Sequence, residues 1–135
     1  MPDPEPGPRL EHAALWTADL ERLRAFYERS FGAQRGPRYD SATRAGFSSY
    51  FLAFPGGGAR LELMTLPSLA PAASPPAVGY AHLALSVGSR EAVVALTERL
   101  RADGVPVVSE PRQTGDGYFE SVVADPDGNL VEITA

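Results

Sequence analysis

The sequence predicts an α+β fold: two tandem βαβββ modules forming a cupped, mostly antiparallel eight-stranded sheet with helices on its outer face. Three observations lead there. His12 and His82 stand 70 residues apart, as do Glu62 and Glu132, and each lies in a matching apolar run. Between these ends the register holds, with Glu28-Arg29 falling on Glu98-Arg99 and Gly58 on Gly128. Each half also changes periodicity in the same order, from alternation to a helical stripe and back to alternation.

Residues 1–9 carry four prolines, which exclude helix and ladder alike and predict an extended, poorly ordered tail rather than a signal peptide. Module one covers 10–65. Its opening strand ends near Thr17, and Asp19 is placed to cap a helix bearing Leu20, Leu23, Phe26 and Tyr27 on one face. Gly32 closes that helix. Strands are expected at 35–39, 47–54 and 59–65, the last two joined by a Pro55-Gly56-Gly57-Gly58 hairpin. The Pro-, Ala- and Ser-rich stretch 66–79 reads as a linker. Module two covers 80–135: a strand at 80–87, then Ser89 capping a helix with Val93, Leu96 and Leu100 at core spacing, ended by Gly104. Strands follow at 105–109, 118–124 and 130–134, with Asp125-Pro126-Asp127-Gly128 as the last turn. Segment 110–117 is expected to be a mobile loop.

Composition narrows the function classes. A chain of 135 residues fits one domain with an ordinary core. The net charge of -5 comes without a basic block, so neither nucleic acid nor a membrane surface is expected as a partner. No apolar stretch approaches the roughly 20 residues of a spanning helix, and a cytoplasmic location is the expectation. Cysteine is absent, which removes disulfides and thiolate ligands. All 12 basic residues are arginine, so Schiff-base chemistry through lysine is excluded.

Strand alternation aims the four repeated residues. If Leu61 and Leu63 face the helix layer, Glu62 faces away with Arg60 and Met64. The same logic turns Glu132, His82 and His12 away from their helices. Singly, each reads as a solvated or hydrogen-bonded strand residue; matched in type and spacing, they read as a ligand set. Two imidazoles and two carboxylates suit one divalent ion such as Ni²⁺, Co²⁺, Fe²⁺, Mn²⁺ or Zn²⁺. Four protein ligands on an octahedral ion leave two adjacent positions for a small oxygen-bidentate substrate. The ion would then stabilise an enediolate formed next to a carbonyl. Across the second hairpin Val122 is expected opposite Glu132, with Glu120 on the same face and Tyr50 at the equivalent place in module one. Glu120, Tyr50 and Trp16 are candidate pocket residues, and Arg35, Arg38 and Arg112 are candidates to meet an anion.

Leu10-Glu11-His12, Asp19-Leu20, Phe26-Tyr27, Phe31-Gly32, Arg60-Leu61-Glu62-Leu63, Tyr80-Ala81-His82-Leu83-Ala84-Leu85 and Asp125-Pro126-Asp127-Gly128-Asn129-Leu130-Val131-Glu132 together resemble the vicinal oxygen chelate superfamily. That superfamily holds glyoxalase I, bleomycin-resistance proteins and extradiol dioxygenases. The resemblance implies paired βαβββ modules, a metal in the cup and a homodimer. Extradiol dioxygenases and fosfomycin-resistance enzymes show two His and one Glu, with no ligand at the position of Glu62. His12, Glu62, His82 and Glu132 together resemble the bacterial glyoxalase I pattern, which favours Ni or Co, with Glu132 as first candidate for the catalytic base and Glu62 as second. Glutathione-using members carry arginine four residues after the first ligand and asparagine four after the second. Here those positions hold Trp16 and Leu66, so a standard glutathione adduct is not the expected substrate. Two alternatives are carried: drug or metabolite binding without turnover, with Trp16, Tyr50 and Phe54 as lining, and an iron-dependent dioxygenase, disfavoured because a fourth protein ligand takes a position that oxygen would need.

Overall fold

Alternation and helical stripes resolve into the expected order of elements in a computed structural model that describes residues 1–135. The chain forms two compact units, Met1–Leu69 and Ala70–Ala135. No helix is long and apolar enough to cross a membrane.

In unit one, β1 (His12–Trp16) leads to α1 (Leu20–Phe31). Asp19 starts the helix by accepting the Arg22 N–H at 3.1 Å, which satisfies one of its orphan donors. Leu23 and Tyr27 are fully buried on its inner face. Gly32 ends it at φ 69°, a left-handed cap that leaves a Cβ only 3.3 Å from Pro55. The expected strand at 35–39 is instead two short pieces, β2 (Gln34–Arg35) and β3 (Tyr39–Asp40), both pairing with β4 (Ser48–Ala53). Pro37 lies between them and has no N–H to give a ladder. β5 (Arg60–Thr65) runs between β4 and β1, antiparallel to the first and parallel to the second.

Unit two repeats this plan. β6 (His82–Ser86) leads to α2 (Arg90–Ala102), where Ser89 accepts the Ala92 N–H at 3.1 Å. The core stripe of α2 is Val93, Thr97 and Leu100, each fully buried, while Leu96 is half-buried. Thr97 is tolerated in the core because its hydroxyl donates to the Val93 carbonyl at 2.6 Å and meets Ser121 at 2.7 Å. β7 (Val107–Gln113), β8 (Phe119–Ala124) and β9 (Leu130–Thr134) complete a sheet of order β6-β9-β8-β7. Residues 110–113 of the expected mobile loop are thus strand, carried through irregular pairing with β8. The last turn is built by Asp125, 4% exposed, whose carboxylate accepts the N–H groups of Asp127 and Asn129 at 2.9 Å and the Asn129 amide at 2.8 Å.

In both sheets one face is sealed by the helix. Leu61, Leu63, Val131 and Ile133 point into it and are at most 2% exposed. The opposite face of each sheet is open and carries the candidate site.

Candidate metal centre

Alternation along β5 and β9 sends Glu62 and Glu132 to the open faces, as expected from their buried neighbours. Parallel pairing puts Ala14 opposite Glu62 and Ala84 opposite Glu132. A small residue there lets the histidine two places back reach the glutamate. His12 Nε2 lies 3.7 Å from Glu62 Oε1, and His82 Nε2 lies 3.3 Å from Glu132 Oε1. The four candidates therefore occur as two pairs, one in each unit; no group of three or more His, Cys, Asp or Glu side chains is gathered in position to hold an ion.

Both pairs are accessible and are not bound by arginine. The imidazoles are 37% and 41% exposed and the carboxylates 16% and 20%. Glu11, Glu21, Glu28, Asp40 and Glu110 are each bound by arginine, whereas Glu62 and Glu132 form ion pairs only with their histidines. A nitrogen and an oxygen aimed at each other from half-exposed positions is a donor set that fits a divalent cation of intermediate softness. In unit one the His12 ring meets the edge of Phe51 at 5.1 Å. Arg60 lies over the Phe51 ring: its guanidinium is 4.4 Å from the centroid and binds Glu11, and that contact holds the Glu11 carboxyl below its ordinary value.

Pairing across β8 and β9 puts Val122 opposite Glu132 and Glu120 opposite Thr134, so Glu120 does share the open face. Burial, then the adjacent Glu132 charge and a hydrogen bond to it, push the Glu120 carboxyl above its ordinary value. Arg112 stands opposite Glu120, and the buried hydroxyl of Thr134 has no hydrogen-bond partner.

Tyr50 is corrected. It pairs with Leu63, is 6% exposed, and donates its hydroxyl to Glu21 of α1 at 2.8 Å. It belongs to the helix face. The residue opposite Glu62 is Phe51, because the connection 54–59 has one residue more than 125–129 (six against five). That difference shifts the facing strand by one place, which reverses its faces. Arg35 and Arg38 lie at the surface in ion pairs, meeting Glu28 at 3.7 Å and Glu21 and Asp40 at 2.7 and 3.0 Å. Trp16 remains on the open face and is 45% exposed.

Residues 9–133 match the family model described as the glyoxalase/bleomycin resistance protein/dioxygenase superfamily. A search of curated proteins returns no match. Among solved structures, a glyoxylase/bleomycin resistance protein/dioxygenase domain from Frankia sp. EAN1pec superposes with a TM-score of 0.79 at 20% identity, covering 93% of this chain and 94% of that one. Trypanothione-dependent glyoxalase I of Leishmania major superposes with a TM-score of 0.75 at 25% identity, over 94% of this chain and 86% of that one. Glyoxalase I of Zea mays gives 0.75 at 23% identity, over 93% of this chain and 44% of the maize chain.

Proposed function

Because the chain belongs to the glyoxalase/bleomycin resistance protein/dioxygenase superfamily, we propose that its His–Glu pairs are the cation ligands of a divalent-metal, proton-transfer enzyme of glyoxalase I type, working as a homodimer. The observation that carries this reading is the duplicated contact of imidazole Nε2 with carboxylate Oε1, at 3.7 and 3.3 Å. His12, Glu62, His82 and Glu132 would hold the ion, Ni or Co first, with Zn, Fe or Mn also suited to the set. When bound, the ion supplies a Lewis acid for two oxygens of a small carbonyl substrate.

The remaining work falls to the chain. Glu132 takes a proton from the carbon beside the carbonyl and returns it to the neighbouring carbon. Its oxygen is held 3.3 Å from His82, which aims the carboxylate. Val122, directly opposite, keeps one flank of Glu132 apolar, which limits solvent competition for the proton. Glu62 is the second candidate for this role. The Leishmania major relative is trypanothione-dependent, which supports a thiol other than glutathione here, in line with Trp16 and Leu66 standing at the expected thiol-contact positions.

Metal analysis of protein purified without chelator should return one equivalent of a transition metal per site. His82→Ala and Glu62→Ala should lose it, with kcat/KM on methylglyoxal plus a panel of thiols falling more than about a hundredfold, since even outer partners of a ligand are worth 10–100-fold. Full activity in metal-free protein would overturn the reading. The exposed Trp16 favours a second one, in which the open face binds a drug or metabolite without turnover; tight, chelator-insensitive binding with no product would select it.

A further inference from the structure

One row of unit one carries chemistry that the His–Glu pairs leave unused. Trp16, Met64, Ser49 and Tyr39 stand opposite one another across β1, β5, β4 and β3, all on the open face. Phe47 meets the edges of both Trp16 and Tyr39, with centroids 6.2 and 6.3 Å apart. Ser49, in the middle of the row, is only 3% exposed, whereas Trp16 and Tyr39 are 45% and 55% exposed. Trp16 and Tyr39, joined through Phe47, form a contiguous exposed aromatic patch of the kind that binds ligands or partners.

Arg44 completes this corner. Its guanidinium carbon lies 5.8 Å from the Trp16 centroid and 5.5 Å from that of Phe47. Arg24, Arg38, Arg60 and Arg101 are each tied to carboxylates, but the contacts of the Arg44 side chain are with these two rings. Stacking holds the guanidinium in place and leaves its N–H fork free for an incoming acceptor. Glu62 lies two residues along β5 from Met64, about 7 Å at ~3.3 Å per residue, and His12 lies four residues along β1 from Trp16, about 13 Å. A small molecule spans that distance.

We infer that the Trp16–Arg44 corner is a subsite for the far end of the substrate, and that this end is a planar aromatic group bearing a carboxylate. The inference rests on the proposed function, which places the reacting end at His12 and Glu62. The exposed indole offers a face for a ring to stack on. A single guanidinium fork matches a carboxylate in two parallel hydrogen bonds, whereas a phosphate dianion calls for further cations that this corner lacks. Glutathione is disfavoured, in line with Trp16 and Leu66 standing at the expected thiol-contact positions.

The test is calorimetric titration of the full chain in excess chelator with 2-naphthoate, 2-naphthamide, cyclohexanecarboxylate, inorganic phosphate and glutathione. Naphthoate should bind and quench the emission of Trp16, the one tryptophan. Naphthamide and cyclohexanecarboxylate should bind about tenfold more weakly, as should naphthoate to Arg44→Gln and Trp16→Leu, each change removing a charge-assisted bond or a stacking partner. Arg44→Lys should fall between. Equal affinity for naphthoate and naphthamide, unchanged binding in Arg44→Gln, or tighter binding of glutathione or phosphate than of naphthoate would each overturn the inference. Arg44 is an exposed loop residue, so its variants carry the test if Trp16→Leu does not fold. Chelator separates the two ideas: lost naphthoate binding in a protein that retains metal sinks only the subsite, and intact naphthoate binding in a protein that takes up no metal sinks only the metal enzyme.

Discussion

Glu21 shows how a single carboxylate can be committed to structure rather than chemistry. The Tyr50 hydroxyl first, then Arg24 and Arg38, hold its pKa at about 2. A depressed carboxylate adds stability above its unfolded value, near 4.5, and gives it up as pH falls from there toward 2. Glu21→Gln should therefore lower stability at about pH 7 by about 1 kcal/mol, and by less near pH 3, where the carboxyl of the unfolded chain is mostly protonated and keeping it ionised in the fold costs more. The side chain is 48% exposed, so screening keeps the effect small and salt should shrink it further. Urea midpoints of the two proteins at both pH values check this; a constant difference would show that the partners of Glu21 do not act through its charge.

At the scale of elements, two connections with similar roles produce different faces. Both units run strand, helix and three-strand ladder, yet 54–59 and 125–129 differ by one residue, and the facing strand is displaced accordingly. Phe51 consequently lies beside Glu62 where Val122 lies beside Glu132. The next row along is aromatic in unit one, Trp16 to Tyr39, and polar in unit two, where Thr134, Glu120 and Arg112 stand in line. The two pairs are alike, and the rows beside them have diverged. The second connection is also the better fastened. Asp125→Ala removes three hydrogen bonds from a buried carboxylate and should cost about 2–3 kcal/mol, read as a lower urea midpoint at unchanged slope. A loss below about 0.5 kcal/mol, the range of ordinary surface substitutions, would mean the turn is held by its backbone alone.

For the molecule as a whole, the proposed ion would bind only the folded chain, so metal and stability should be linked. Saturating metal at about 100 times its Kd should add ~2.7 kcal/mol to unfolding, visible as a higher Tm that chelator reverses and that Glu62→Gln blunts. An unchanged Tm would argue against a site present only in the folded chain. Much of the architecture was legible beforehand: the repeat, both helices with their Asp19 and Ser89 caps, and the outward aim of His12, Glu62, His82 and Glu132. These follow from local rules, since a side chain's face along a strand depends on period two and a cap on its own next three residues. Which residue stands across from which is a different kind of fact, set by loop length and pairing at a distance. Only the tertiary structure decided that Tyr50 turns inward while Phe51 takes its place, that Thr97 rather than Leu96 enters the core, and that Arg44 comes to rest on Trp16.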